Sequence, residues 1–131
     1  MHRANLLALS SFVLAISLTG CQAAPSTDAA KPAPLSGAAA AGRQLFVEKG
    51  CVACHKAPGV AEAQGTVGPN LAGVGNPAAH PKIAAVIDNN SENLKLWLQD
   101  PQKVKPGSAM PSLGMSETEL TNLTAFLETL K

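Results

Sequence analysis

Cys51-Val52-Ala53-Cys54-His55 places two thiols two residues apart, with an imidazole immediately after them. That is the attachment pattern of c-type haem. A helical turn puts Cys51 and Cys54 on one side, where their thiols can add to the two haem vinyl groups. The imidazole of His55 then points at the iron. With three Cys and three His in the chain, a chance match has a frequency of roughly one in a thousand. Three other chemistries of the same residues fit less well. A thioredoxin-like redox pair wants a strand–helix–strand context, which the flanking residues do not show. A structural zinc site wants four ligands; His80 is the remaining candidate beside Cys51, Cys54 and His55, and there is no second Cys or His pair. A disulfide between Cys51 and Cys54 would close a tight loop.

His55 leaves one axial position on iron, for which Met110, Met115 and His80 compete. Met115 stands just before a helix start, where it forms a hydrophobic staple with Leu120. His80, between Ala79 and Pro81, is expected to face solvent. Met110 lies in a Pro/Gly loop with no competing role, so it is the expected ligand. A Met/His pair raises the reduction potential and favours electron transfer over oxygen chemistry.

The elements that must position these groups are helical. The first helix spans about 37–49, with Ser36 as N-cap and Gly50 as C′ residue. Ala38, Ala41 and Leu45 share one broad apolar face, to which Ala39, Gly42 and Phe46 are further candidates, and Gly42 marks either a close helix crossing or a plain surface position. Residues 56–90 are rich in Gly, Pro, Ala and Asn, as expected of chain that wraps a ligand. A short helical turn is expected at 83–87. The second helix runs over about 91–100, capped by Ser91 and stopped by Pro101. Leu94, Trp97 and Leu98 share one face, where Trp97 is either a core residue or an indole donor to a haem propionate. Residues 101–115 read as a loop. The third helix opens with a capping box, Ser116 and Glu119, and carries an apolar stripe of Leu120, Leu123, Phe126, Leu127 and Leu130.

Length and composition agree. A chain of 131 residues holds one domain at most. Three Phe, one Trp and no Tyr supply little aromatic bulk. A small domain of this kind often needs a metal or other staple, and a buried porphyrin would provide apolar mass.

The odd cysteine, Cys21, belongs to the N-terminal segment. His2 and Arg3 precede the uncharged, largely apolar run 6–18, which suits a signal h-region and is too short to span a bilayer comfortably. Leu18-Thr19-Gly20-Cys21 resembles the lipobox of bacterial lipoproteins, which implies cleavage before Cys21 and its acylation. Ordinary cleavage after Ala23 is the alternative. Residues 1–20 are thus expected to be a lipoprotein-type signal peptide. Residues 21–36 would be a lipidated Cys with a flexible Ala/Pro tether, spanning about 20 Å. Residues 37–131 would form the globular domain. Without Arg3 the charges balance, 10 − 1 = 9 bases against nine acids, and nothing suggests nucleic acid as a partner. Lys49 and Lys56 flank the motif and serve either to steer an acidic partner or simply to keep the chain soluble.

Taken together, residues 37–131 resemble a class I cytochrome c. Gly42 and Phe46 match that family's N-terminal helix, which crosses the C-terminal helix at Leu123 and Phe126. Gly68-Pro69-Asn70-Leu71 matches the segment whose proline carbonyl accepts a bond from the proximal histidine, here Pro69 to His55. Met110-Pro111 matches the distal ligand and its following proline. The run from Glu92 through Asp100-Pro101, Lys105-Pro106-Gly107 and Met110-Pro111 is similar to the cytochrome c domain fused to subunit II of some bacterial terminal oxidases. No copper-binding domain or membrane hairpin is recognisable in these 131 residues. The resemblance implies an all-α fold, three to five helices wrapped around one covalently attached haem c.

The implied function is a one-electron carrier rather than an enzyme. It would be lipid-anchored through Cys21 to a bacterial membrane, its haem domain facing the periplasm or cell exterior. Expected partners are a terminal oxidase, a quinol:cytochrome c oxidoreductase or a dehydrogenase. The competing functions are a haem enzyme or gas or peroxide sensor with an open distal site, and a fixed electron-transfer subunit of a larger oxidoreductase.

Overall fold

The computed structural model describes residue 35 and residues 37–131; the expected signal segment 1–20, the acylation site Cys21, the 21–36 tether apart from Leu35, and the Ser36 cap lie outside the described residues. Among the described residues there are four α-helices, a single 3-10 turn and a two-stranded hairpin. No helix among them is long and apolar enough to cross a membrane.

The frame is a crossing of α1 (Gly37–Glu48) with α4 (Glu117–Leu127). Gly42 is buried where they meet. A Cβ at that position would overlap the carbonyl oxygen of Asn122 and lie 2.8 Å from Phe126 Cβ. Of the two readings of Gly42, the close crossing is the one realised. One turn on, Phe46 packs against Phe126 with ring centroids 5.6 Å apart, tilted by 59°. Tilted aromatic pairs at this separation add to the area they bury. The stripe on α4 and just beyond it (Leu120, Leu123, Phe126, Leu127 and Leu130) is buried as its spacing predicts. Ser116 and Glu119 form the expected capping box, each side chain bonding the other's backbone N–H. Gly50 takes the left-handed conformation at φ 76° just past α1.

Three local expectations are corrected. The cap of α2 (Ser91–Gln99) is Asn90, not Ser91: the Asn90 side chain accepts from the Asn93 N–H at 2.9 Å. Ser91 is already helical, and its hydroxyl donates to the Glu128 carboxylate, joining α2 to α4. Pro101 ends α2 but also starts α3 (Pro101–Val104), so 101–115 is not loop throughout. A proline is suited to a first helical position, where its missing N–H would have had no partner. The Asp100 carboxylate caps α3 by accepting from the Lys103 N–H at 3.1 Å. Finally, 83–87 is not a helical turn. Lys82–Ile83 (β1) and Ile87–Asp88 (β2) pair antiparallel, with Lys82 opposite Asp88 and Ile83 opposite Ile87. β-branched Ile83, Val86 and Ile87 favour extended backbone. Ala84 and Ala85 make the reversal at φ 50° and 61°, a region non-glycine residues rarely adopt.

The segment 56–90 wraps as expected, and its backbone is paired rather than free. Asn89 is buried and donates from Nδ2 to the carbonyls of Val74 and His80, both at 2.8 Å. Gly75 donates to Leu130 O at 2.9 Å, which fastens the wrap to the chain's end.

Candidate functional site

The motif follows α1 directly as the 3-10 turn Cys51–Ala53, in which His55 N–H bonds Cys51 O at 2.9 Å. Carbonyls of Val52, Cys54 and the following Lys56 accept from the wrapping chain. Gly65 donates to Val52 O at 3.2 Å, Gly68 to Cys54 O at 2.7 Å and Leu71 to Lys56 O at 2.8 Å. Residues 65–71 therefore lie along the motif and bring Pro69 to the histidine. His55 Nδ1 is 2.9 Å from Pro69 O. A carbonyl only accepts, so Nδ1 carries the proton and Nε2 is left with its lone pair for another partner. Gly68 makes room for the ring: a Cβ there would lie 2.7 Å from Nδ1 and 2.8 Å from Nε2.

Cys51, Cys54, His55 and Met110 all line one cavity of about 490 Å³, within the range of roughly 300–1,000 Å³ usual for cofactor sites. Its walls are mostly apolar, from Phe46 on α1 and Leu94 and Leu98 on α2 to Leu123 and Leu127 on α4. Trp97 and Pro69 also line it. Trp97 is half-buried, and its indole N–H has no bond to a protein group among the described residues. The other sixth-ligand candidates are elsewhere. Met115 packs half-buried against the helical core and does not line the cavity. His80 is exposed and packs its ring beside Gly73. The four-ligand zinc alternative therefore has no support, and no cluster of three or more metal-ligating side chains occurs among the described residues.

Both motif thiols are free. Burial pushes the Cys51 thiol above its ordinary value, partly opposed by a backbone hydrogen bond, and the neighbouring Cys54 adds to the rise. A redox dithiol of the thioredoxin kind needs the opposite shift. Two thiols, an imidazole with a free Nε2 and a thioether around an apolar cavity make a donor set that fits haem c.

Three features escaped sequence reasoning, two because they join residues distant in the chain and the third because an irregular loop gives no periodicity to read. Lys49 lines the cavity but is 2.8 Å from Glu119, whose carboxyl it pulls down to about 2 together with the Ser116 N–H and hydroxyl. Lys49 is thus committed to an internal pair, and of the two flanking lysines Lys56 is the exposed one. Lys105 Nζ donates to Ala84 O at 3.1 Å, bridging the hairpin turn to the loop before Met110. Gln102 bonds that loop at several points.

The chain spans about a quarter of the length of the relatives it matches. A cytochrome c oxidase subunit 2 from Alkalihalophilus pseudofirmus is 38% identical over 91 residues, covering 69% of this chain and 25% of that one. The protein of the same name from Bacillus sp. PS3 is 36% identical over 108 residues, covering 79% and 29%. That of Bacillus subtilis is 38% identical over 94 residues, covering 69% and 26%. No solved structure matches. Residues 39–131, well over half of the chain, match the cytochrome c family. The helical frame around a thiol- and imidazole-lined cavity and this match agree: the chain belongs to the cytochrome c family.

Proposed function

We propose that this chain is a one-electron carrier holding one haem c through Cys51 and Cys54, with His55 and Met110 as axial ligands. A haem held there supplies reversible ferric–ferrous cycling. The observation that carries the proposal is that these four side chains converge on one apolar cavity while Pro69 O fixes the His55 tautomer. Cys51 and Cys54 anchor, so the group stays on the chain in both oxidation states. His55 is oriented through Nδ1 and presents Nε2. Met110 offers a neutral sulfur, which favours the ferrous state. Apolar walls limit water and so limit reorganisation on electron transfer. Trp97, which lines the cavity, is the candidate partner of a propionate through its indole N–H.

The wider reading is an exported protein acylated at Cys21 and tethered by residues 21–36 to a membrane, exchanging electrons with a terminal oxidase or another respiratory complex. The relatives' name, cytochrome c oxidase subunit 2, supports an oxidase as the partner class. It also favours a second reading, a fixed electron-transfer subunit of such a complex. Co-purification after gentle detergent extraction separates the two: a fixed subunit travels with its complex, a carrier does not. Labelling with a radioactive fatty acid that is lost in Cys21→Ser tests the anchor.

The optical spectrum tests the core of the proposal. A low-spin ferrous spectrum indifferent to carbon monoxide, with a sulfur-to-ferric-iron band in the far red, is the expected result. A high-spin spectrum shifted by carbon monoxide would instead mean an open distal site and an enzyme or sensor.

A further inference from the structure

The loop that carries Met110 is held from one side by a single side-chain amide. Gln102, on α3, accepts the Gly107 N–H at 3.1 Å on Oε1. Its Nε2 donates to the carbonyl of Ser108 and, at 3.3 Å, to that of Met110. Its partners are one N–H and two C=O groups, so the amide has one workable orientation; flipped, its oxygen would face two carbonyls. Gln102 is in turn fixed by α3, whose first residue Pro101 is buried and whose Asp100 cap holds the Lys103 N–H. Inside the loop Met110 N–H donates to Ser108 Oγ at 3.2 Å. Beyond Met110, Ser112 Oγ donates to Gln99 O at 2.9 Å, at the end of α2. With no ladder of its own, this segment takes its shape from these cross-bonds, and the backbone of Met110 is bonded on both its N–H and its C=O.

We infer that Gln102 is the positioning residue of Met110: its amide holds residues 107–110 so that the thioether stays in the cavity. The inference rests on the assignment of Met110 as distal ligand. A glutamine that merely closes a surface loop would stabilise the fold without controlling access to iron, and the two roles separate experimentally.

The test uses the full exported, haem-loaded chain as wild type, Gln102→Ala, Gln102→Leu and Lys103→Ala. Lys103 is the control, being exposed on the same short helix and engaged through its backbone N–H alone. Imidazole is titrated into the ferric protein, because its apparent affinity rises with the fraction of molecules in which Met110 has swung away. Gln102→Ala and Gln102→Leu should bind imidazole about tenfold more tightly than wild type, equivalent to about 1.4 kcal/mol, while Lys103→Ala stays at the wild-type value. The Gly107 amide should exchange with solvent about tenfold faster in both Gln102 variants. Wild-type imidazole affinity in both variants, in a protein whose wild type shows the sulfur band, overturns the role of Gln102 and leaves Met110 in place. A Lys103→Ala variant loosened as much as they are also overturns it, since helix integrity would then be the cause. A wild type without the sulfur band overturns the Met110 assignment, and this inference with it.

Discussion

The Nδ1 atom of His55 lies 2.9 Å from the carbonyl oxygen of Pro69, and the residue before that proline, Gly68, sits against the imidazole ring. The acceptor is backbone, so the identity of residue 69 matters less than the path of the chain through residue 68. Gly68→Ala should push the ring off its carbonyl, because a Cβ meets three ring atoms at once. The expected outcome is loss of the low-spin spectrum together with loss of the Nδ1–H resonance. Pro69→Ala keeps the carbonyl and should retain both. Equal damage from the two would mean that proline rigidity, not ring clearance, sets the histidine.

Gly42→Ala weighs two opposed effects. Alanine in a helix interior gains up to about 1 kcal/mol over glycine. Overpacking typically costs about 1–3 kcal/mol and more where backbone must move. Here the obstacle is the Asn122 carbonyl, which is backbone and cannot step aside. A net loss of about 2 kcal/mol is expected, seen as a melting temperature lower by about 10 °C for a domain this size. A variant as stable as wild type would mean that α1 and α4 slide apart without cost.

Glu119 gives the acid limb of stability a defined origin. Its carboxyl is lowered from 4.5 to about 2, first by the Lys49 ammonium and then by the Ser116 N–H and hydroxyl. A carboxyl lowered on folding stabilises the native state in full above its unfolded value and loses that contribution as pH falls towards its folded value. The stability gap between wild type and Glu119→Gln should thus be present at pH 6 and shrink progressively between about pH 4.5 and pH 2. Denaturant melts at these pH values check it. The gap should also narrow in high salt, because the pair is partly exposed.

How much of this could be read beforehand depends on how local each cause is. The Ser116–Glu119 box and the α4 stripe are legible because partners three and four residues apart meet on any helix. The cavity residues are legible because Cys51, Cys54 and His55 are contiguous and Met110 sits in a proline-framed loop. The cap of α2 is ambiguous by one residue from sequence, since Asn90 and Ser91 are both good caps, and the partner of the Ser91 hydroxyl, Glu128, lies far along the chain. The 83–87 reversal through two left-handed alanines has no local signature at all; turns of that shape usually announce themselves with Gly or Asn. Neither reading of Lys49, steering a partner or keeping the chain soluble, includes its pair with Glu119, which is visible only once α1 crosses α4.

Thr124 offers a substitution that should improve the fold. It is 3% exposed on α4, and its Oγ1 has no hydrogen-bond partner among the described residues. A buried hydroxyl left unpaired costs about 1–3 kcal/mol. Thr and Val have similar shapes and similar helix propensities, so Thr124→Val exchanges the orphan hydroxyl for a methyl group of nearly the same volume. A gain of about 1 kcal/mol is expected in denaturant unfolding, with an unchanged slope. Thr124→Ser is the informative counterpart. It keeps the hydroxyl and deletes the methyl, and should lose about 1 kcal/mol through the vacated volume. A Val variant less stable than wild type, beside a Ser variant that is not, would show that the hydroxyl finds a partner in solution and that the site is polar by requirement.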